Sequence, residues 1–370
     1  MEFNIARNSL QKELGFVQGI VEKKNTIPIL SNILIEPAGE TRVRFIGTDL
    51  DATIRCEAEA EILKSGAMCI QARKLFEIAR LLPDATVNFR REDNDWVTVR
   101  CERANFRVPG VPRESFPEVP SFKSAPVKLP AQILKTFIDR TIFAITLEES
   151  RYTLSGAKFI VNKSGARMVT TDGHRLAFIE RKDLGGSLPK EGIDVLIPRK
   201  TLAEVAKLAA SHEGEVSLGA DENHVYFEVG ARLLISRLLT GQFPNYEMVM
   251  PKESTRAVSF DASELSQAIR RVAVMADDRS HAIRFNLGPG ALEINSQNAE
   301  EGEAQELLPV DYQGEALEIG FNAQYLQDFL SIVGGASVRF EFKDSTSQAQ
   351  MRPAADADYD YRYVVMPMRV

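Results

Sequence analysis

The residues best placed for chemistry stand together in one short segment, 171–177 (TDGHRLA). Asp172 and His174 are two positions apart, a spacing that directs both side chains to the same side of an extended segment. An Asp–His pair can serve proton transfer, but no nucleophile or third partner accompanies this one. A polar turn with Gly173 at its tight position is therefore the favoured interpretation.

Other signatures of catalysis or metal binding are absent from the sequence. There is no Walker A loop, G-x-G-x-x-G, H-E-x-x-H or G-x-S-x-G motif. The histidines are scattered without metal-ligand spacing. The three cysteines lack C-x-x-C spacing, so we expect buried, reduced thiols rather than disulfides or a zinc site. The sequence predicts a non-catalytic protein with no metal and no cofactor.

Length and composition indicate a soluble globular protein of more than one domain. The 370 residues exceed what one hydrophobic core usually serves, and hydrophobic and charged residues make up 44% and 26%. The sequence has no apolar run of about 18 residues and no apolar stretch behind a basic N-terminus. We therefore expect a cytoplasmic protein with no membrane partner. The net charge of −7, taken as a total, argues against a nucleic-acid partner.

One pattern recurs three times along the chain, at an interval of about 125 residues. Each copy has an amphipathic helix, alternating strands around a polar turn, and a second helix. The turns are 48–50, 171–173 and 296–298. The predicted helices are 7–24, 131–146 and 262–276 for the first of each copy, and 73–82, 199–210 and 322–333 for the second.

The repeat sets the expected domains and fold class. Asp261 can cap one first helix, Asn8 or Ser9 another, and Pro130 stands at the start of the remaining one. Proline-containing junctions at 116–130 and 243–251 close the first two copies. The expected fold is α+β, with three domains at 1–122, 123–251 and 252–370, each of two helices packed on antiparallel sheets.

Positive charge is concentrated in the six predicted helices. Together they carry a formal charge of +7, so the rest of the chain carries −14 to reach the total of −7. Helical cations facing a DNA backbone give attraction that does not depend on base sequence. The alternative is that these cations are the ordinary solvated faces of amphipathic helices, and charge alone does not decide between the two interpretations.

The C-terminal segment 363–370 (YVVMPMRV) is apolar almost to its end, where most termini are polar. A terminal strand with two methionines suits an adaptable wall for an apolar partner. It also suits a strand that completes a sheet, and both can hold.

Several separated motifs, in order along the whole chain, resemble the bacterial DNA sliding clamps, the beta subunits of DNA polymerase III. The most specific are 171–177 (TDGHRLA), 241–246 (GQFPNY), 320–322 (GFN) and 364–369 (VVMPMR), with support from 26–30 (TIPIL) and 47–50 (GTDL). The resemblance implies a head-to-tail homodimer of three-domain chains, giving a six-domain ring whose helices line the hole.

The resemblance also implies a peptide pocket between the second and third domains. The DNA polymerase III catalytic subunit, the clamp loader, and repair and translesion polymerases would insert a short motif containing Gln and Leu or Phe. Apolar walls and polar edges would come from Leu154, Thr171, Gly173, His174, Arg175, Leu176, Pro244, Val249, Asn322, Tyr325, Val364, Val365, Met366, Pro367, Met368 and Arg369.

Two further sets of residues follow from the same resemblance. Sequence-independent contact with double-stranded DNA is expected from Lys24, Arg73, Arg151, Tyr152 and Arg199. The dimer interface would join Phe106 and Val108 of one copy to Val274 and Met275 of the other, with Lys74 near the acids Glu300, Glu301 and Glu303.

Three positions depart from the familiar pattern of the family. Met248 replaces an arginine, Ser280 an aromatic residue and Val370 a leucine. A protein-binding scaffold, or a resistance paralogue of the clamp, remains the main alternative function. A nucleic-acid enzyme using Asp172 and His174 is the third.

Overall fold

A computed structural model describes residues 1–21, 27–120, 127–148, 150–184, 192–251, 254–355 and 358–369. Lys24, expected to touch DNA, and Val370 lie outside the described residues. Within the described ranges the chain forms six α-helices and 26 β-strands. The helices are α1 (Arg7–Ile20), α2 (Ala72–Leu81), α3 (Ala131–Asp139), α4 (Arg199–Ala210), α5 (Ala262–Ala273) and α6 (Ala323–Val333).

The helix starts follow local capping chemistry in two cases. Asp261 caps α5 by accepting the backbone N–H of the third helical residue at 2.9 Å, as predicted. Asn322 caps α6 in the same way at 3.2 Å. The predicted caps of α1 are wrong, because Ala6 holds the extended N-cap backbone and Asn8 and Ser9 already lie inside the helix.

Three helices end at least three residues earlier than their apolar periodicity predicts, α1 at Ile20, α3 at Asp139 and α5 at Ala273. In two of them a strand hydroxyl bonds to a carbonyl near the helix end. After α3, the carbonyl of Thr141 accepts a hydrogen bond of 2.7 Å from the Thr170 hydroxyl. At the end of α5, the carbonyl of Val272 accepts one of 2.6 Å from the Ser296 hydroxyl. Each strand hydroxyl is thus a second donor to a carbonyl that also accepts a backbone N–H, from Ala144 at 3.0 Å and from Met275 at 3.2 Å respectively.

The chain divides into two compact units. Unit 1 holds Met1–Lys135 with Lys200–Leu238, and unit 2 holds Thr136–Arg199 with Leu239–Val370. The first sheet of unit 1 has the order β5-β1-β7-β8-β9 and the second β10-β6-β2-β3-β4-β18-β17-β16-β11. Their strands are β1 (Glu2–Ala6), β2 (Asn32–Pro37), β3 (Arg42–Thr48), β4 (Ala52–Glu59), β5 (Glu61–Lys64), β6 (Met68–Gln71), β7 (Thr86–Arg91), β8 (Val97–Cys101), β9 (Ala104–Val108), β10 (Gly110–Val111), β11 (Val127–Pro130), β16 (Glu215–Ala220), β17 (His224–Val229) and β18 (Arg232–Arg237).

Unit 2 also contains two antiparallel sheets. The larger has the order β15-β12-β13-β14-β26-β25-β24-β19 and the smaller β22-β21-β20-β23. Their strands are β12 (Gly156–Asn162), β13 (Gly165–Thr171), β14 (Arg175–Arg181), β15 (Ile193–Pro198), β19 (Arg256–Asp261), β20 (Ala282–Gly288), β21 (Ala291–Asn298), β22 (Gly302–Pro309), β23 (Leu317–Asn322), β24 (Ser337–Phe342), β25 (Ala349–Pro353) and β26 (Asp360–Val365).

Strands from successive repeats join into continuous sheets. In unit 1, β4 of the first repeat pairs antiparallel with β18 of the second. In unit 2, β14 of the second repeat pairs antiparallel with β26 of the third. The hydroxyl contacts described above match Ser296 with Thr170, so the third turn is shifted by one residue from the sequence alignment, which matched Ser296 with Thr171.

The cysteines behave as small buried hydrophobes. Cys56, Cys69 and Cys101 are buried and free. Burial raises the pKa of the Cys69 thiol to about 11, so its reactive thiolate form is scarce at neutral pH. Among the described residues no helix is long and apolar enough to cross a membrane.

Candidate functional site

The turn between β13 and β14 is held by its own side chains. The Thr171 hydroxyl donates to the Arg175 carbonyl at 2.6 Å and accepts the Gly173 N–H at 3.1 Å. The Asp172 carboxylate accepts the N–H groups of His174 and Arg175 at 2.9 and 3.0 Å. Gly173 has a φ of +92°, a conformation that favours glycine. Asp172 thus orders the turn backbone rather than a catalytic imidazole.

The pairing of β14 with β26 builds an apolar wall. Leu176 lies directly opposite Val364, and the two side chains are 3% and 2% exposed. Both belong to one cluster, and partly buried Leu154 packs against it. The sequence analysis named these three residues but missed other members of the cluster, which are Val169, Phe178, Leu196, Leu239, Phe243, Tyr246 and Met250.

The missed residues had a readable signal. Val169 and Phe178 are register partners on β13 and β14, and Phe178 is two positions from Leu176, so it faces the same side. Phe243 and Tyr246 belong to the motif GQFPNY.

The rim of this wall is exposed and largely apolar. Met248 is 75% exposed, Val249 43% and Met366 41%, and Pro244 is also exposed. Exposed apolar residues around a buried apolar floor are typical of a site that binds an apolar side chain.

A polar pair borders the wall. Arg167 donates to the Tyr246 hydroxyl at 2.9 Å and to Glu180 at 2.5 Å. The pair of Arg167 and Glu180 thus anchors Tyr246, an aromatic residue of the wall.

The C-terminal segment lies along the same site. The N–H of Met366 donates to the carbonyl of His174 at 2.9 Å, and that of Met368 to Gly320 at 2.8 Å. Val365 is fully buried, Pro367 and Met368 are partly buried, and Arg369 is exposed. The tail therefore completes a sheet and also presents Met366 to the rim.

A second group of expected pocket residues, Arg175, His174 and Tyr325, packs together outside the apolar cluster that holds Leu176. On a strand, neighbouring residues face opposite sides, and the Arg175 guanidinium packs over the Tyr325 ring at 4.4 Å. The His174 ring stacks near Tyr325, with centroids 6.5 Å apart. Asn322 uses its amide to donate to the Ser280 carbonyl at 3.0 Å, besides capping α6.

A cleft of about 460 Å³ lies on this second face. It is lined by His174, Arg175, Arg199 and Tyr325, with acidic side chains from Asp172 and Asp328 among its other walls. Arg199, expected at DNA, therefore shares a cleft with residues expected at a peptide.

The other described residues expected at DNA are Arg151, Tyr152 and Arg73. Arg151 donates to the Asp172 carbonyl at 2.7 Å and so supports the turn. Tyr152 follows it and is 51% exposed. Arg73 on α2 pairs with Glu77 at 3.1 Å, with 67% of its side chain exposed.

The residues expected at a dimer interface come from both units of the chain. Phe106 and Val108 belong to β9, the last strand of its sheet. Val274, which follows α5, is 69% exposed, and Met275 is partly buried. Within the chain, Lys74 pairs with Glu77 at 3.0 Å, and Glu300, Glu301 and Glu303 are exposed.

In the part of the chain that the structure describes, no three His, Cys, Asp or Glu residues are grouped to hold a metal ion.

Three family models match successive parts of the chain. The N-terminal domain of the DNA polymerase III beta subunit matches residues 1–120, the central domain 128–245 and the C-terminal domain 247–369. The beta sliding clamp of Caulobacter vibrioides is 38% identical over 378 residues, and that of Pseudomonas putida 36% over 376, with all of both chains covered.

Solved structures agree with the sequence relatives. A sliding clamp from Pseudomonas aeruginosa, bound to griselimycin, superposes with a TM-score of 0.93 at 35% identity. The Caulobacter crescentus pol III beta structure gives 0.91 at 38%. Both comparisons cover 100% of each chain. The resemblance and the three-domain α+β fold class are thereby confirmed, and the chain belongs to the DNA polymerase III beta subunit family, the non-catalytic sliding clamps of DNA replication.

Proposed function

We propose that two copies of this sliding clamp close head to tail into a ring around duplex DNA, and that the apolar wall of Leu176 and Val364 holds a short peptide of the replicative polymerase. The ring retains the polymerase on its template by topology. The observation that carries the proposal is the repeated strand pairing between successive repeats, which leaves two corresponding edges for a second copy.

The strand pattern identifies these edges. The triplets β2–β4, β12–β14 and β20–β22 share one hairpin order, and so do β7–β9, β16–β18 and β24–β26. Within the chain, β4 pairs with β18 and β14 with β26. The strands left over are β22 and β9, and each ends its sheet. An open edge offers N–H and C=O groups to another strand, and a heterologous contact that closes after two copies gives a ring.

The internal junctions also supply a register. Ala177 on β14 lies opposite Thr170 within its hairpin and opposite Tyr363 across the junction. Ser296 takes the place of Thr170 in the third repeat, and it lies opposite Ala304. Ala304 therefore takes the place of Ala177 at the proposed interface.

The partner residue that Ala304 would meet is inferred from the corresponding junction in unit 1. In unit 1, Ile54 of β4 lies opposite Leu234 of β18. Leu234 is two residues after Arg232, the first residue of β18. Phe106 occupies that position in β9, which follows a two-residue loop as β18 does. Ala304 would face Phe106 of the partner subunit, and Glu303 would face Arg107 of the partner subunit.

Exposed apolar side chains support an interface at this edge. Leu307 on β22 is 63% exposed and Val274, after α5, 69%. A neighbouring chain would remove both from water. Lys74 and the acids Glu300, Glu301 and Glu303 would add charge contacts at the rim.

The helices contribute to the proposed contact with DNA. Their excess of positive charge attracts phosphate without reading bases, so the ring can slide. Arg73, Arg151, Tyr152, Arg199 and Lys24 are the residues proposed to meet the duplex. A protein that acts on bacterial chromosomal DNA would lie in the cytoplasm.

The pocket is proposed to serve several partners in turn. The polymerase III catalytic subunit, the clamp loader, and repair and translesion polymerases would offer short motifs containing Gln and Leu or Phe. The described rim exposes the apolar side chains of Met248, Val249 and Met366, and the unbranched methionines can adopt several rotamers to accept different side chains. Griselimycin, which is bound to the related clamps from Pseudomonas aeruginosa and Bartonella birtlesii, would compete for this wall.

Cross-linking tests the interface. Glu303→Cys combined with Arg107→Cys should form disulfide-linked dimers on mild oxidation, because both side chains are exposed and face each other in the proposed register. Glu303→Cys with Phe106→Cys is the control, since adjacent strand residues face opposite sides. Equal cross-linking of the two pairs would refute the register.

Retention on DNA tests the ring itself. The clamp is loaded onto nicked circular DNA, which is then linearised. We expect rapid loss from free ends at moderate salt and retention on the uncut circle. Retention on linear DNA would show that affinity rather than topology holds the protein.

A further inference from the structure

The guanidinium of Arg175 joins three separate elements of unit 2. Its Nε donates to Asp172 in the β13–β14 turn at 2.9 Å. One Nη donates to Asp328 on α6 at 2.5 Å, and the other to the carbonyl of Phe143, after α3, at 2.8 Å. The side chain is only 10% exposed. Each of the three guanidinium nitrogens thus donates a hydrogen bond inside the protein.

The guanidinium also stands apart from the apolar wall. Arg175 precedes Leu176 on β14, so the two side chains leave opposite faces of the sheet. Leu176 enters the apolar cluster, whereas Arg175 lies over the rings of Tyr325 and Phe143, 4.4 and 5.6 Å from their centroids. A peptide lying on the wall would not need to reach the guanidinium.

Arg175 holds the β13–β14 turn, which supports the rim of the pocket at Met366. Asp172, its partner, accepts the N–H groups of His174 and Arg175. The His174 carbonyl in turn accepts the N–H of Met366, which begins the exposed part of the tail. A chain of contacts therefore runs from α6 through Arg175 and the turn to Met366.

We infer that Arg175 is a positioning residue, which fixes the pocket rim to helix α6 through Asp328 rather than by touching the peptide. The inference rests on the proposed pocket. Its consequence is that the position of Asp328 on α6 influences peptide affinity from the far side of the sheet. Lysine could not replace the arginine, because an ammonium lacks the planar fork that meets Asp172, Asp328 and a carbonyl together.

Electrostatics favour the charged form of the Arg175 guanidinium. Burial by itself would lower the pKa of the Arg175 guanidinium, but its contacts with Tyr363, Asp328 and Asp172 outweigh that cost and raise it. One cation is shared by two carboxylates, so removal of the guanidinium leaves both of them poorly paired.

A double-mutant cycle tests the inference. The probe is a synthetic peptide with the Gln and Leu-Phe motif, and binding is measured to wild type, Arg175→Lys, Asp328→Asn and the double variant. We expect Arg175→Lys to weaken binding about ten-fold, Asp328→Asn to weaken it less, and the double variant to bind like Arg175→Lys. Arg256→Lys, which disturbs the Arg256–Glu315 pair elsewhere in the unit, is the control and should bind like wild type.

Amide hydrogen exchange gives a second readout that needs no ligand. The N–H of Met366 should exchange at least several-fold faster in Arg175→Lys and Asp328→Asn than in wild type, with the Arg256→Lys rate unchanged. Unchanged exchange, or additive losses of affinity, would overturn the positioning role. Faster exchange with no peptide binding even to wild type would leave the positioning of the turn intact and reject the pocket instead.

Discussion

Leu176 and Val364 lie directly opposite each other on β14 and β26, two strands from distant parts of the chain. Their side chains are almost fully buried in one cluster, yet the loop and tail beside them expose Met248, Val249 and Met366. This contact joins the second and third repeats and forms the floor of the proposed pocket.

Shortening Leu176 to alanine should weaken peptide binding at least ten-fold. The change removes apolar surface and leaves a cavity, at a cost of about 2–5 kcal/mol in stability. Leu292→Ala, at a buried site in the small sheet, is the matched control. It should lower stability similarly and leave peptide affinity unchanged in calorimetric titration. Equal loss of affinity in both variants would contradict the assignment of the pocket.

The turn before Leu176 requires glycine at position 173. A Cβ on Gly173 would combine a φ of +92° with a distance of 3.0 Å to Arg151 Nη1. Gly39 has a φ of +85°, and a Cβ there would meet nothing within 4 Å. Both alanine variants should lose about 1–2 kcal/mol from backbone strain. Only Gly173→Ala should also weaken peptide binding, and a comparable effect of Gly39→Ala would count against this explanation.

Glu13 and Arg232 form a buried ion pair in unit 1. Arg232 donates two hydrogen bonds to Glu13, of 2.6 and 2.7 Å, and the side chains are 7% and 11% exposed. Removing one partner leaves a buried charge, so Glu13→Gln or Arg232→Met should each destabilise the unit by about 3 kcal/mol. The double variant should recover much of the loss. Urea denaturation monitored in all three variants checks this non-additivity.

Contact with phosphate should be visible in the salt dependence of DNA binding. Arg73→Ala or Arg199→Ala should lower the slope of log K against log salt by about 1, because each phosphate contact releases about one counterion. Lys163→Ala, in the exposed turn between β12 and β13, is the control. Unequal slopes between Lys163→Ala and wild type would argue against the proposed DNA surface.

Acid should weaken one turn of unit 1 in a defined range. The hydrogen bond from Tyr226, with the N–H groups of Asn223 and His224, lowers the pKa of Asp221 to about 2 from 3.8. A carboxyl with a lowered folded pKa stabilises the fold above its unfolded pKa and loses that effect as the pH falls through the folded value.

Asp221→Asn should therefore destabilise the protein by about 1 kcal/mol at pH 7, a value reduced for partial exposure. The difference from wild type should shrink between about pH 4 and pH 2. Asp84→Asn, in an exposed loop, controls for the loss of a carboxylate. Melting temperatures across this range test the prediction, and a gap that widened on acidification would contradict it.

Local sequence features were sufficient for much of the architecture. The apolar periodicity placed all six helices, and α4 begins and ends at the predicted residues. Asp261 was identified as a cap because capping depends on a side chain and an N–H only three residues apart. The motif around Gly173 indicated a tight polar turn for the same local reason.

Tertiary structure decided what those local rules leave open. Hydroxyls from Thr170 and Ser296 bond to carbonyls near the ends of two helices that are shorter than their periodicity implied, and a strand that continued into the helix left Ala6 as the cap of α1. The face on which Arg175 lies depends on which strand pairs with β14, a partner that comes from the far end of the chain. Residue types and spacing therefore determined the helices, the turns and the family, whereas long-range strand pairing decided which side chains share the wall and which hold it in place.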